Sequence, residues 1–337
     1  VSQTGTLVAP ADTLVLGNAA TAGSGDGALL RVTADPAAQL VRNGVDASAV
    51  PAMTIGAGAR ITGAGVTLDS THSTTLSASA TIGGNAIALD SGQITLELAT
   101  AGSVPVSSGL ALSGAALLGL QSAQSLSLLS YSSIDIYGTG AIGALDDGGQ
   151  PTLASLALHA GEIRGFNTGG GAVSFAARNI LLDNFAGGSV PGAAGATGGS
   201  LTFHAGTVQL GANQLAIDQF AGVAISATGG VLGQKTGGLA VQGNLAVTAP
   251  LITGATASSQ AVTAGGTLTL AGASSATTVT PGLGASLTLA GANILAADNI
   301  VLPSGALTLH ATGGDLSIAS GSRLDVGGTA QTFYDLT

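Results

Sequence analysis

The chain has 337 residues and a formal net charge of −10, with 55 glycines, no cysteine, and 45% hydrophobic but only 3% aromatic residues. The acidic balance makes nucleic acid and anionic lipid poor partners, and the lack of cysteine excludes disulfides and thiolate metal sites. The apolar residues are nearly all Ala, Val, Leu and Ile, which suit a thin, repetitive interior and not a wide core closed by large side chains.

From the start, Val1-Ser2-Gln3-Thr4-Gly5 has neither the basic residues nor the apolar run of a signal peptide, and reads as the inside of a mature or trimmed chain. Residues 1–50 are irregular and carry Arg31 and Arg42, so a soft boundary is placed near residue 50, with 51–337 as a regular rod. Period-two patterning then sets in. In Ile94-Thr95-Leu96-Glu97-Leu98 the apolar residues face one side and the polar ones the other, the signature of a short half-buried strand. Helical patterning is weak, because apolar i, i+3, i+4 runs are broken by glycine.

One phrase returns along the chain: Leu156-Ala-Leu-His-Ala-Gly161, Leu201-Thr-Phe-His-Ala-Gly206, Leu268-Thr-Leu-Ala-Gly272, Leu287-Thr-Leu-Ala-Gly291 and Leu307-Thr-Leu-His-Ala311. The last three begin 19 and 20 residues apart. A second phrase, Ile180-Leu-Leu-Asp-Asn-Phe-Ala-Gly187, reappears as Leu215-Ala-Ile-Asp-Gln-Phe-Ala-Gly222. Short strands and glycine corners repeating near 20 residues predict an all-β fold, a right-handed parallel β-helix. About 17 coils would make a rod on the order of 80 Å long. Projecting loops are expected at Ala19–Gly27, Ala144–Thr152, Ala186–Ser200 and Ala273–Gly284. No amphipathic capping helix is evident, so both ends are expected to be open sheet edges.

The stretch Leu126-Ser-Leu-Leu-Ser-Tyr-Ser-Ser-Ile-Asp-Ile-Tyr-Gly138, the Leu-His-Ala-Gly phrases and Ala319-Ser-Gly-Ser-Arg-Leu-Asp-Val-Gly-Gly328 resemble the repeats of filamentous haemagglutinin-like exoproteins of Gram-negative bacteria. The resemblance runs from about residue 50 onward. It implies an interior part of a large protein exported through a partner outer-membrane transporter and displayed at the cell surface as an adhesin, filament or stalk. The Asn-Pro-Asn motifs of that family's secretion domain are absent.

Candidate chemistry is sparse, and no catalytic, cofactor-binding or metal site is assigned. The adjacent carboxylates Asp146-Asp147 lack the basic partners that acid/base work on a sugar requires, and read as a solvated turn. His159, His204 and His310 follow similar strands but are 45 and 106 residues apart, too far for one ion, and His72 is isolated. The carboxylates Asp26, Asp146 and Asp147 form no repeated calcium motif. Thr269, Thr288 and Thr308 are expected to form one outward ladder. Phe185 and Phe220, at equivalent points of the duplicated phrase, are expected to stack in the core with the other aromatics between residues 131 and 220.

The resulting expectation is a non-enzymatic structural and adhesive segment. It would meet a glycan or protein of a host or neighbouring cell, or identical rods. A self-assembling filament subunit and a polysaccharide-active enzyme on the same fold are the alternatives.

Overall fold

The structure, a computed structural model, describes residues 21–24, 27–36, 40–43, 50–99, 101–105 and 109–328. Residues 19, 20, 25 and 26 of the predicted loop Ala19–Gly27, Asp26 among them, and residues 44–49 before the boundary near 50 fall outside them. Thr21–Ser24, expected within that loop, is instead a strand paired in parallel with Leu40–Asn43. The chain is a parallel β-helix, 56% strand and 2% helix, of about 11 turns with coils of roughly 24 residues. The coil is longer than the expected 20 residues and the turns are fewer than 17, so the rod is nearer 50 Å than 80 Å at the ~4.8 Å strand spacing.

A regular coil contributes to three parallel ladders. Face A begins with Gly65–Ser70, Ala86–Ser91, Ser125–Ser130 and Ser155–His159, and continues through residues 179–183, 207–210 and 230–233 to Arg323–Asp325. Face B includes Ile94–Glu97, Ser133–Tyr137, Glu162–Phe166, Asn213–Asp218 and Thr236–Val241. Face C includes Gly140–Ile142, residues 172–177, 200–205 and 222–227, and Asn244–Ala249. Strands such as Ala172–Asp183 and Ser200–Leu210 turn a corner and serve faces C and A in succession.

The core is a set of stacked aliphatic columns. On face A, Val66, Ile87, Leu126, Leu156, Ile180, Val208 and Val231 lie in register and are all buried. Two positions along each strand, Leu68, Leu89, Leu128, Leu158 and Leu182 form a second column. Within these columns each aliphatic side chain stacks on another of similar size, which is why a composition poor in large aromatics suffices. Phe175 and Phe203 add one stacked aromatic pair inside, with ring centres 5.7 Å apart.

Three departures from the regular coil matter for the surface. Leu110–Leu112 pairs with Ile94–Glu97 as a second face-B strand of one coil, and the helix Gly114–Leu120 then stands where a face-C strand would, burying Ala116, Leu117 and Leu120. This helix was not anticipated; Ala-Ala-Leu-Leu is a good helix-forming run despite its flanking glycines. Face B loses a strand further on: residues 184–199 pass from face A to face C without one, so Glu162–Phe166 pairs directly with Asn213–Asp218. Residues 273–285 likewise omit a face-A strand. They fold back so that the Thr278 amide bonds to Gly229 O at 2.8 Å and the Thr278 hydroxyl meets that of Thr207 at 3.1 Å.

The ends are not alike. At the first coils Leu29–Thr33 covers Gly65–Ser70 as an antiparallel strand, a pairing that terminates the parallel ladder and corrects the expectation of an open edge there. In the last described coils the inward positions Leu316 and Ile318 stand exposed.

Candidate functional site

A long open concavity of roughly 1150 Å³ runs along the outside of face A. Its floor is formed by small outward residues in register, Thr67, Ala88 and Ser127. One residue pair further along the strands runs a more polar row, Asp69, Asp90, Leu129, His159 and Asp183. The capping segment with Arg31, Thr33 and Pro36 closes one end of the groove, where Arg31 and Asp69 are both buried. Residues 185–189 and the corner Gln234-Lys235 wall the other.

The walled end is organised by Asp183. Its Oδ1 lies 2.5 Å from His159 Nδ1 on the preceding coil and also accepts the Phe185 amide at 3.0 Å. The bond to the Phe185 amide makes Asp183 the start of a turn closed by Gly187 N–H to Asn184 O at 2.8 Å. Phe185 is thereby held outward, 60% exposed, with the His159 ring edge-on at 6.2 Å and Lys235 Nζ 5.9 Å above its face. Lys235 has φ of 83°, a conformation strained for a non-glycine residue. Gln260, inside the coil, fixes this corner by donating to the carbonyls of Lys235 (2.9 Å) and Gly211 (3.0 Å).

A second polar cluster lies on face B. Arg164 grips Asp135 with two bonds of 2.9 Å, Gln93 Nε2 donates to Asp135 Oδ2 at 2.8 Å, and Arg164 also reaches Ser133 Oγ at 3.2 Å. Tyr137 and Phe166 stack beside it at 4.8 Å, with the Arg164 guanidinium 5.4 Å from the Phe166 ring centre. Burial and the hydrogen bond that protonated Glu162 donates to Asp218 push the Glu162 carboxyl up to about 7.

The residues singled out in the sequence scatter over the rod. Asp146 and Asp147 are exposed in the loop after Gly140–Ile142, and Asp146 Oδ1 is occupied by the amides of Gly148 and Gln150, the geometry of a turn. His159 is on face A, His204 on face C and His310 on face B, while His72 is exposed. Thr288 and Thr308 are in register on face B, but Thr269 lies on face C between Ala246 and Leu295, so the expected threonine ladder has two members there. Phe185 and Phe220 do not stack. Residues 180–183 lie on face A and 215–218 on face B, so Phe185 ends in the groove while Phe220 is fully buried. Phe220 fills the space above Gly165, where a Cβ would come within 2.5 Å of its ring.

The His159–Asp183 pair does not follow from a 20-residue repeat, because its members are one 24-residue coil apart. The signal was present. Both residues stand fourth in similar phrases, Leu-Ala-Leu-His and Ile-Leu-Leu-Asp, 24 residues and hence one coil apart. No family model, curated protein or solved structure matches this chain.

Proposed function

We propose that this chain is a non-enzymatic adhesive segment of a large extracellular bacterial exoprotein of the filamentous haemagglutinin-like kind, a rod that presents the face-A groove to a glycan of a host or neighbouring cell. The observation that carries this reading is the groove itself. It is open and elongated along the rod axis, floored by small side chains, and ends at an exposed aromatic ring beside hydrogen-bonding groups. An aromatic face with nearby carboxylate and imidazole suits a sugar ring and its hydroxyls. Its charges are mixed, with Asp90 and Asp183 against Lys235, which favours an uncharged chain over a polyanion.

The test is binding of the whole chain to immobilised neutral oligosaccharides, compared with Phe185→Ala. Saturable binding weakened about tenfold by that change supports the reading; equal binding by both proteins, or none by either across neutral chains, overturns it. One observation favours a second reading. An Asp183-oriented His159 in a groove is also how a general base is held, as a polysaccharide-active enzyme requires. Release of new reducing or unsaturated ends from the same oligosaccharides, lost in His159→Ala, would replace the adhesive reading with the enzymatic one.

A further inference from the structure

Glu162 stands at an outward position of face B, in register with Ser133 and Ala216, yet its side chain is 0% exposed. What covers it is the segment 184–199, which crosses face B where a strand is omitted. The Gly192 amide donates to Glu162 Oε2 at 2.9 Å. Glu162 Oε1 is buried without an N–H or hydroxyl donor, and the Asp218 carboxyl lies within hydrogen-bonding reach of the Glu162 carboxyl. Two carboxyl groups can share such a bond only when one of them holds a proton.

The surroundings offer only weak further compensation. Arg164, two residues along the same strand, is 4.0 Å from Glu162 Oε2 but turned into its paired bonds with Asp135. Strand Ser133–Tyr137 presents Asp135 and Tyr137, and strand Asn213–Asp218 presents Asp218. Segment 184–199 itself has no titratable side chain. Over face B its other anchors are neutral: Gln219 Oε1 accepts from the Ala194 amide at 3.3 Å, Gln219 O from Gly198 at 3.0 Å, and Gln242 Nε2 donates to Gly195 O at 3.5 Å. The charged groups that meet the segment, Asp183 at the Phe185 amide and His159 and Lys235 at the Phe185 ring, lie at its face-A end.

We propose that a proton shared by Glu162 and Asp218 latches segment 184–199 over face B, and that loss of this proton releases the segment. The Glu162 carboxyl stands near 7 under the closed segment and in the ordinary carboxylate range once it is solvated. The closed form is therefore favoured at low pH. Release grows as pH rises from about 5 to about 7 and levels off above, where both forms are ionised. Residues 185–189 of the same segment wall the face-A groove, so the latch also governs the groove's aromatic end. That last consequence rests on the adhesive reading; the latch does not.

The experiment is amide hydrogen exchange of Gly192, Ala194 and Gly198 in the full chain, corrected for the intrinsic pH dependence of exchange. Protection should fall by up to tenfold per pH unit between about 5 and 7, roughly a hundredfold in all, and then stay level to pH 9. Glu162→Gln and Asp218→Asn each supply an amide donor in place of the proton and should keep the segment protected at every pH. Either variant carries the test alone if the other does not fold. Wild-type protection independent of pH, or variants that open with the wild-type midpoint, would overturn the latch. So would recovery of protection at pH 8 on adding millimolar calcium, which would assign a bridging cation. A pH-dependent segment on a protein that binds no oligosaccharide would retain the latch and discard the adhesive reading.

Discussion

His159 and Asp183 lie in register on adjacent coils of face A, and Asp183 Oδ1 serves the imidazole and the Phe185 amide together. One carboxylate thus sets both the ring at the groove floor and the turn that projects the aromatic wall. Asp183→Ala should cost about 1–3 kcal/mol in a denaturant melt, the usual consequence of leaving such donors unpaired. It should also weaken oligosaccharide binding more than Phe185→Ala does, because both elements lose their orientation.

Phe185 and Phe220 offer a direct contrast. Phe185→Ala removes an exposed ring and should change stability by less than about 0.5 kcal/mol. Phe220→Ala empties the buried space over Gly165 and should cost about 3–5 kcal/mol. Comparing the two melting midpoints checks the assignment of the duplicated phrase to two different faces; equal costs would contradict it.

Segment 184–199 crosses the corner between faces A and B only because Gly161 has no side chain. A Cβ there would collide with the Ser189 carbonyl. Gly161→Ala should therefore loosen the segment at low pH with no change of charge, read as faster proteolytic cleavage within 184–199 at pH 5 while the rest of the rod stays resistant.

Asp298 is buried, with Oδ1 accepting the Asn299 amide at 2.6 Å and Oδ2 lacking a donor. Burial raises its carboxyl to about 6. Its contribution to stability is complete below the ordinary carboxylate range and is lost as pH rises from about 4 to about 6, by roughly 2–3 kcal/mol. Asp298→Asn should remove that loss, so the variant should gain thermal stability over wild type at pH 8 and little at pH 4. An equal difference at both pH values would assign the change to packing instead.

The all-β coil was legible because period-two alternation and glycine corners are local signals. The coil length was not. Leu268-Thr-Leu-Ala-Gly272 and Leu287-Thr-Leu-Ala-Gly291 are identical, yet Leu268 pairs with Ile294, and Leu287 with Gln260 and Leu307. A strand on one face needs the same inward leucines as a strand on another, so the recurrence of a phrase marks a strand and says nothing of which face it joins. The same ambiguity hid the groove, whose rows are assembled from residues one coil apart. Glu162 was invisible for a further reason: its burial depends on a strand that face B lacks, and the glycine-rich residues 184–199 read only as a loop.

Segment 273–285 gives the rod an uneven response to load. Ladder hydrogen bonds run along the axis, so a pull on the two ends would part neighbouring coils in turn, each yielding at its own modest force. Where Thr278 is tied back to Gly229 and Thr207, several coils are bound by one strap and must give way together. Extension under tension would begin in the unstrapped coils, leaving the stretch from about residue 207 to 285 as the last part of the rod to unravel.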